Sequence, residues 1–341
     1  MVKREDLLKE LDSVFAGLAE RDDVEQSTCF VFKDGMVMTY NEEIACVMKC
    51  SLDIKAAVPA RLFLSILRKL TEDELDIDIE DKKKLVIKGR NKRCSIRVTR
   101  KLLLPIEENL DVATKWHKLD GNFIDGLNLV QQCATTAKNA VGTATIIHIT
   151  PEHIEACDGY EAARYEVSTK IKENVSVKRE AVKFVVTLNM THIGITDTWV
   201  SFKNQTGLVF SCRRYKETFP EIDEVLKERG KVTILPKGIK ETAERAEIFA
   251  SDKLDEKDNK IFVTLEMGKV IVTGKGDRGI YKEAKKASYK GDTIKFKIHP
   301  AQLSQIVERF DSCEVTKRLI KVTGENFVYV SALHLVKKKK K

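Results

Sequence analysis

The chain has 341 residues, 43% of them hydrophobic and 33% charged, which suits a soluble globular protein of two or three domains rather than a single core. No apolar run reaches the ~18 residues of a membrane span, and the opening MVKREDLLKEL is charged from its third residue, unlike a secretory signal. The net charge is +8 but falls to +3 without the five terminal lysines, so any surface for a polyanion must gather its cations locally.

The predicted elements run as follows. Residues 4–18 form a helix with Leu7, Leu8, Leu11, Val14, Phe15 and Leu18 on one face. CFVFKDGMVMTY (29–40) is a hairpin about Asp34-Gly35, a dipeptide that accepts the positive φ angles of a tight turn. VPARLFLSILRKL (58–70) is a helix with an apolar stripe of Leu62, Phe63, Ile66, Leu67 and Leu70, followed by a strand pair in 75–89. A helix over 122–137 carries Phe123, Ile124, Leu127, Val130 and Cys133. The segment 177–188 reads as a helix whose valines suit a strand almost as well. A helix over 237–250 (Ile239, Ala243, Ala246, Phe249) precedes a hairpin about Met267-Gly268 in 262–274. IHPAQLSQIVERF, from Ile298, is a helix with Pro300 in its first turn, and a last hairpin lies in 313–333.

These elements recur. One helix set begins at 58, 177 and 298, spaced 119 and 121 residues apart; the other begins at 4, 122 and 237, spaced 118 and 115. Each third closes on a similar phrase, LLLPIEENL (102–110), ETFPEIDEVL (217–226) and YVSALHLV (329–336). The spacing predicts one α+β unit built three times, with helices on one face of an antiparallel sheet. Links near 105–120 and 217–233 then bound domains 1–113, 114–218 and 219–336, followed by a basic tail, 337–341.

Eight scattered cysteines (29, 46, 50, 94, 133, 157, 212, 313) read as reduced core residues of a cytosolic protein. No Cys/His set has metal-ligand spacing, and no P-loop, zinc-protease helix or G-x-S-x-G is present, so no metal, no other cofactor and no enzyme activity are expected. One formal exception is GKGDRG (274–279), a literal G-x-G-x-x-G with Asp292 beyond it. It follows the return arm of a hairpin, and the next segment is too polar for a crossover helix, so it reads as a glycine loop between strands.

In the order REDLLKEL, VPARLFLSILRKL, CDGYEAARY (157–165), FPEIDEVL and AERAEIFASDK (243–253), the chain resembles the bacterial DNA polymerase III beta sliding clamps over nearly its whole length. Departures include Cys157-Asp158-Gly159-Tyr160-Glu161-Ala162, where the family has Thr-Asp-Gly-His-Arg-Leu, and the lysine tail; they suit a divergent, phage-encoded member. The resemblance implies a clamp-fold ring, closed head to tail by two chains, with helices inside and sheets outside. Such a homodimer encircles duplex DNA without reading sequence and tethers the replicative polymerase as its processivity factor. The clamp loader and other proteins with clamp-binding motifs are further implied partners. A cytoplasmic, nucleoid-associated setting is implied, or the host cytoplasm for a phage protein, with no membrane role.

Three groups of residues follow from the resemblance. DNA should meet Arg61 and Arg68, Lys178, Arg179 and Lys183, and Lys237, Lys240 and Arg245 on the polar helix faces, together with Arg21 and the Lys138-Asn139 loop. A partner-peptide groove between the second and third domains should use Cys157, Gly159, Tyr160, Ala162, Pro220, Val225, Val330 and Ala332. The ring seam should set Leu104 and Ile106 against Ile248 and Phe249 of the other chain. The plainer alternatives are solvated helix faces, ordinary core, and intradomain packing. At the level of the whole chain, the competing readings are a monomeric repeat scaffold that binds only proteins, and a nucleotide-dependent enzyme using Gly274–Gly279.

Overall fold

A computed structural model of the chain describes all residues except 90, 136–139, 141, 251–259, 278, 317 and 333–341. Contacts gather into two compact units: Met1–Leu119 with Lys183–Arg214, and Asp120–Val182 with Tyr215 onward.

The first unit begins with β1 (Val2–Lys3) and α1 (Arg4–Ser13). A meander follows, β2 (Cys29–Lys33), β3 (Met36–Tyr40) and β4 (Ile44–Lys49), then β5 (Ala56–Pro59), α2 (Ala60–Lys69), and a second meander, β6 (Glu74–Glu80), β7 (Lys84–Gly89) and β8 (Lys92–Arg97). The β2–β3 turn has Asp34 at φ +51° and Gly35 at φ +70°, the left-handed pair that a two-residue hairpin requires. A strap with a short helix, α3 (Ile106–Asn109), leads to β9 (His117–Lys118).

The second unit holds α4 (Phe123–Val130), the meander β10 (Ile146–Ile149), β11 (His153–Cys157) and β12 (Glu161–Glu166), and β13 (Val175–Lys178). Helix α5 (Arg179–Thr187) starts in this unit and ends in the first, where β14 (His192–Ile195), β15 (Trp199–Lys203) and β16 (Val209–Arg213) follow. The rest belongs to the second unit: α6 (Asp223–Lys227), β17 (Lys231–Ile234), α7 (Ile239–Ala250), the meander β18 (Ile261–Glu266), β19 (Lys269–Gly276) and β20 (Gly279–Lys286), β21 (Ile294–Ile298), α8 (Pro300–Arg309), and β22 (Ser312–Val315), β23 (Leu319–Thr323) and β24 (Phe327–Ala332).

One order thus recurs three times: a leading strand, a helix, a three-strand meander, a fourth strand, a second helix and a second meander. The recurrences span 2–97, 117–213 and 231–332, whereas the compact units divide the middle one. The division comes from the sheets. In the first unit β4 pairs antiparallel with β16, giving an eight-stranded sheet β5-β2-β3-β4-β16-β15-β14-β9. In the second, β12 pairs with β24, giving β13-β10-β11-β12-β24-β23-β22-β17. Each unit also has a four-stranded sheet, β1-β6-β7-β8 and β20-β19-β18-β21. Among the described residues, β8 pairs only with β7 there, and β20 only with β19.

The helices are shorter than the sequence suggests. Val58 and Pro59, Val177 and Lys178, and Ile298 end strands, as β-branched residues before a helix start favour. Residues 15–17 and 131–133 turn as 3₁₀ rather than α. The stripes face the core only in part: Leu7, Leu11 and Val14, and Phe63 and Leu67 on α2, are buried, as is Leu64 outside the expected stripe, but Phe15 is 36% and Leu62 50% exposed. In the first unit Trp199 is fully buried, packs 6.2 Å from Tyr40, and donates its indole N–H to the Asn109 carbonyl at 2.8 Å, which pins the strap over the sheet. In the second, α7 lies so close to β19 that a Cβ on Gly274 would stand 1.8 Å from the Ala246 carbonyl oxygen.

Candidate functional site

The cations expected at DNA divide by their partners. Arg68 on α2 pairs with Asp12 of α1 at 2.6 Å. Lys240 on α7 pairs with Glu308 of α8. Arg245, one α7 turn further on, gives Glu283 of β20 two N–H donors at 3.1 and 2.7 Å. Hydrogen bonds from Tyr281 and Arg245 hold the Glu283 carboxyl down at about 2. Arg179 is committed internally, to the Ala134 carbonyl at 2.6 Å and the Gln132 side chain at 3.0 Å. Lys178 lies over the Tyr215 ring at 4.8 Å. Arg21, Arg61, Lys183 and Lys237 are exposed and have no carboxylate partner among the described residues, although Arg61 lies 5.8 Å over Phe15 and Lys183 4.8 Å over Phe184. Lys138 and Asn139 lie outside the described residues. The i to i+3 spacing that marks a helix's polar face does not reveal which cation on it has a carboxylate from another element.

The groove residues, up to 175 positions apart, converge within the second unit. Ala162 of β12 sits opposite Val330 of β24, and the Ala332 N–H donates to the Tyr160 carbonyl at 2.8 Å. Ala162 and Val330 form one apolar cluster with Ile222, Leu226 and Leu319, against which Cys157 and Phe219 pack. Above that floor Tyr160 is 63% and Val225 36% exposed. Gly159 turns at φ +88°, and Pro220 and Ala332 are exposed. The apolar floor residues Phe219, Ile222, Leu226 and Leu319 are not among the expected groove residues; the apolar spacing of the 217–226 phrase is a signal for the first three, and nothing local marks Leu319. Helix α6 is held down by Arg164, which donates to Glu155 at 2.8 and 2.6 Å and to Asp223 at 2.5 Å. Burial opposes ionisation of Glu155, but hydrogen bonds from His153 and Arg164 outweigh it and its pKa is lowered.

Beneath Tyr160 the Glu161 carboxylate is buried, 3.4 Å from the Lys260 ammonium, with Asp158 3.5 Å from the same nitrogen. Burial pushes Glu161 up to about 7, against the attraction of Lys260. A raised folded-state value means that the folded protein binds the proton more tightly than the unfolded chain does. Glu161 therefore costs stability as pH rises from about 4.5 to about 7, by an amount on the order of 3 kcal/mol. Glu161→Gln should remove that slope. In urea unfolding at about pH 5 and about pH 8, the variant should gain on the wild type at the higher pH; a constant difference would contradict the assignment.

Neither a protein-family model nor a curated protein matches the sequence. Solved structures do. The DNA polymerase sliding clamp of Pseudomonas aeruginosa is 16% identical, with a TM-score of 0.73 over 98% of this chain and 99% of that one. A putative DNA polymerase III beta subunit from Eubacterium rectale is 14% identical, with a TM-score of 0.75 over 98% of each chain. The beta subunit from Thermotoga maritima is 15% identical, with a TM-score of 0.73 over 98% and 99%.

The chain has the sliding-clamp fold.

Within the clamp fold the expected seam residues separate. Ile106 is 4% exposed and joins Val31, Tyr40 and Trp199 in the first unit's own core; Leu104 packs on the same cluster. Ile106 thus packs within its own unit, on a strap fastened through Trp199 and Asn109, whereas Leu104 is only half-buried there. Ile248 on α7 is 67% exposed, and Phe249 stacks on Tyr281 of the open strand β20 at 5.9 Å. GKGDRG lies at the turn of the antiparallel hairpin β19–β20, with Gly276 opposite Gly279. A strand follows it rather than a helix, so the clamp fold offers no phosphate-binding helix N-terminus at this point.

Proposed function

We propose that the chain is a DNA sliding clamp: a non-catalytic homodimeric ring of three clamp domains per chain. It would encircle duplex DNA in the cytoplasm and tether the replicative polymerase. The observation that carries this reading is the recurrence with its two open edges. Twice within the chain, the third strand of one recurrence pairs with the last strand of the next. The remaining equivalents, β20 and β8, are left with open sides. Pairing β20 of one copy with β8 of another, and the reverse, satisfies both edges in a closed two-fold assembly. A monomeric scaffold would leave these two equivalents, β8 and β20, without the partner that the other two junctions have.

The cations without carboxylate partners, Arg21, Arg61, Lys183 and Lys237, are the ones assigned to phosphate, since they need break no ion pair to bind it. Changing all four to Glu should weaken binding to duplex DNA of any sequence and flatten the salt dependence by about 0.9 in log–log slope for each phosphate no longer neutralised. Filter binding across a salt series checks this. An equal weakening on reversing four sheet lysines, or preference for one sequence, would contradict a sliding surface. The groove around Tyr160 is assigned to short apolar peptides of the polymerase, the loader and other clamp-binding proteins.

A further inference from the structure

The two internal sheet junctions share one register. Ile44 faces Cys212 and Val47 faces Val209 across β4–β16; Glu161 faces Ser331 and Tyr165 faces Phe327 across β12–β24. Equivalent residues are set by the hairpin partners. Met36↔Lys49, His153↔Glu166 and Lys269↔Lys286 align β4, β12 and β20. Trp199↔Arg213, Leu319↔Ala332 and Lys84↔Arg97 align β16, β24 and β8. Both junctions then give the same pairing for the open strands: Ile96 opposite Tyr281, Ser95 opposite Lys282, Cys94 opposite Glu283, Arg93 opposite Ala284 and Lys92 opposite Lys285.

Burial supports this register independently. Ile96 and Cys94 are the covered positions of β8, and Tyr281 and Glu283 are half-buried in β20; Arg93, Ser95, Lys282 and Ala284 are exposed. The pairing sets covered against covered and exposed against exposed in the four pairs from Ile96–Tyr281 to Arg93–Ala284; at the strand end, exposed Lys92 meets half-buried Lys285. A slip of one residue would reverse all four matches.

From this register, and resting on the homodimer proposed above, we infer that the seam joins two copies through strands of like charge, so that added salt strengthens closure. The repulsion centres on Lys282, which sits diagonally between Arg93 and Arg97; Lys92 also faces Lys285, but each of these two already has a carboxylate partner in its own chain. The nearby carboxylates are already engaged within each chain: Glu72 with Lys92, Glu80 with Lys88 and Arg93, and Glu283 with Arg245 and Lys285. Arg97, Lys282 and Lys286 have no ion pair among the described residues. Like charges directly opposite one another destabilise a strand pair. Between solvent-exposed groups that repulsion is screened as the Debye length shrinks from about 10 Å at 0.1 M salt to about 3 Å at 1 M. Backbone hydrogen bonds and the apolar contacts of Ile96, Tyr281, Ile248 and Phe249 then hold the seam with less opposition. A seam built on ion pairs would respond in the opposite sense.

The test is sedimentation equilibrium of the whole chain in KCl at about 50 and about 500 mM. The wild-type dimer should tighten roughly tenfold with salt. Lys282→Glu, at an exposed position without a partner, places a carboxylate between Arg93 and Arg97; its dimer should be tighter at low salt and loosen as salt rises. Thermal melting of the variant checks that the fold is unchanged. A wild-type dimer that weakens with salt overturns the inference, as does equal tightening of wild type and variant, which would be general salting-out. A chain that stays monomeric at every salt overturns the homodimer reading as well, so the two failures are distinguishable.

Discussion

Replacing Gly274 by valine will cost the second unit most of its stability. The Cβ would stand 1.8 Å from the Ala246 carbonyl oxygen and 2.9 Å from its Cα, and the atoms it meets are helix backbone, which no rotamer change can move aside. Relief requires α7 to lift off β19, which uncovers Ala243, Ala246 and Ala250, all buried against the sheet. Overpacking alone costs ~1–3 kcal/mol, and separating the helix adds the apolar burial it forfeits at about 25 cal/mol per Å². We expect more than about 4 kcal/mol in urea unfolding, a rare size for one substitution. Because α7 carries Arg245, Ile248 and Phe249, dimerisation should fail with it. A destabilisation below about 1 kcal/mol would mean that the helix does not approach the strand this closely.

The groove offers the second large effect. Tyr160→Ala with Val225→Asp should reduce affinity for a clamp-binding peptide by roughly 100-fold, or about 2.7 kcal/mol, because an exposed aromatic anchor and an apolar wall are removed together. Polymerase stimulation should vanish at concentrations that saturate the wild type, while melting and dimer mass stay unchanged. These positions suit the test because both are exposed, whereas Val330 is 4% exposed and Gly159 sits at φ +88°, where any larger residue strains the backbone. Full stimulation by the double variant would remove the groove from the account. If the variant instead melts early, the residues are core.

The legibility of the chain follows from the range of each interaction. Local signals read well: Asp34-Gly35 turns the first hairpin, and most of the apolar stripe residues of α1 and α2 are covered, Phe15 and Leu62 excepted. The helices begin later than Val58 and Val177 because a short apolar run before a helix suits a strand end equally well. The β4–β16 and β12–β24 junctions are invisible in the sequence, since nothing local in a strand names its partner more than 150 residues away. They matter most, because they leave β8 and β20 open. Ile106 lies beyond β8, on a strap whose fixing by Trp199 is itself long-range, so nothing near it in sequence marks it as core. The cation faces are legible as faces, but the pairing of Arg68 with Asp12, or Arg245 with Glu283, depends on how neighbouring elements pack.

The central claim, a ring closed through β8 and β20, is tested most directly by locking it. Ser95→Cys with Lys282→Cys puts two exposed thiols opposite each other across each proposed seam, at a Cα separation of about 4.5–5.5 Å that a disulfide accepts. The reduced protein is mixed with circular duplex DNA, oxidised, and washed at about 1 M salt, where phosphate attraction is largely screened out. The account predicts a cross-linked dimer that stays on the circle and is released when the DNA is cut once or the disulfides are reduced. A cross-linked dimer that washes from intact circles as readily as from linear DNA would contradict it.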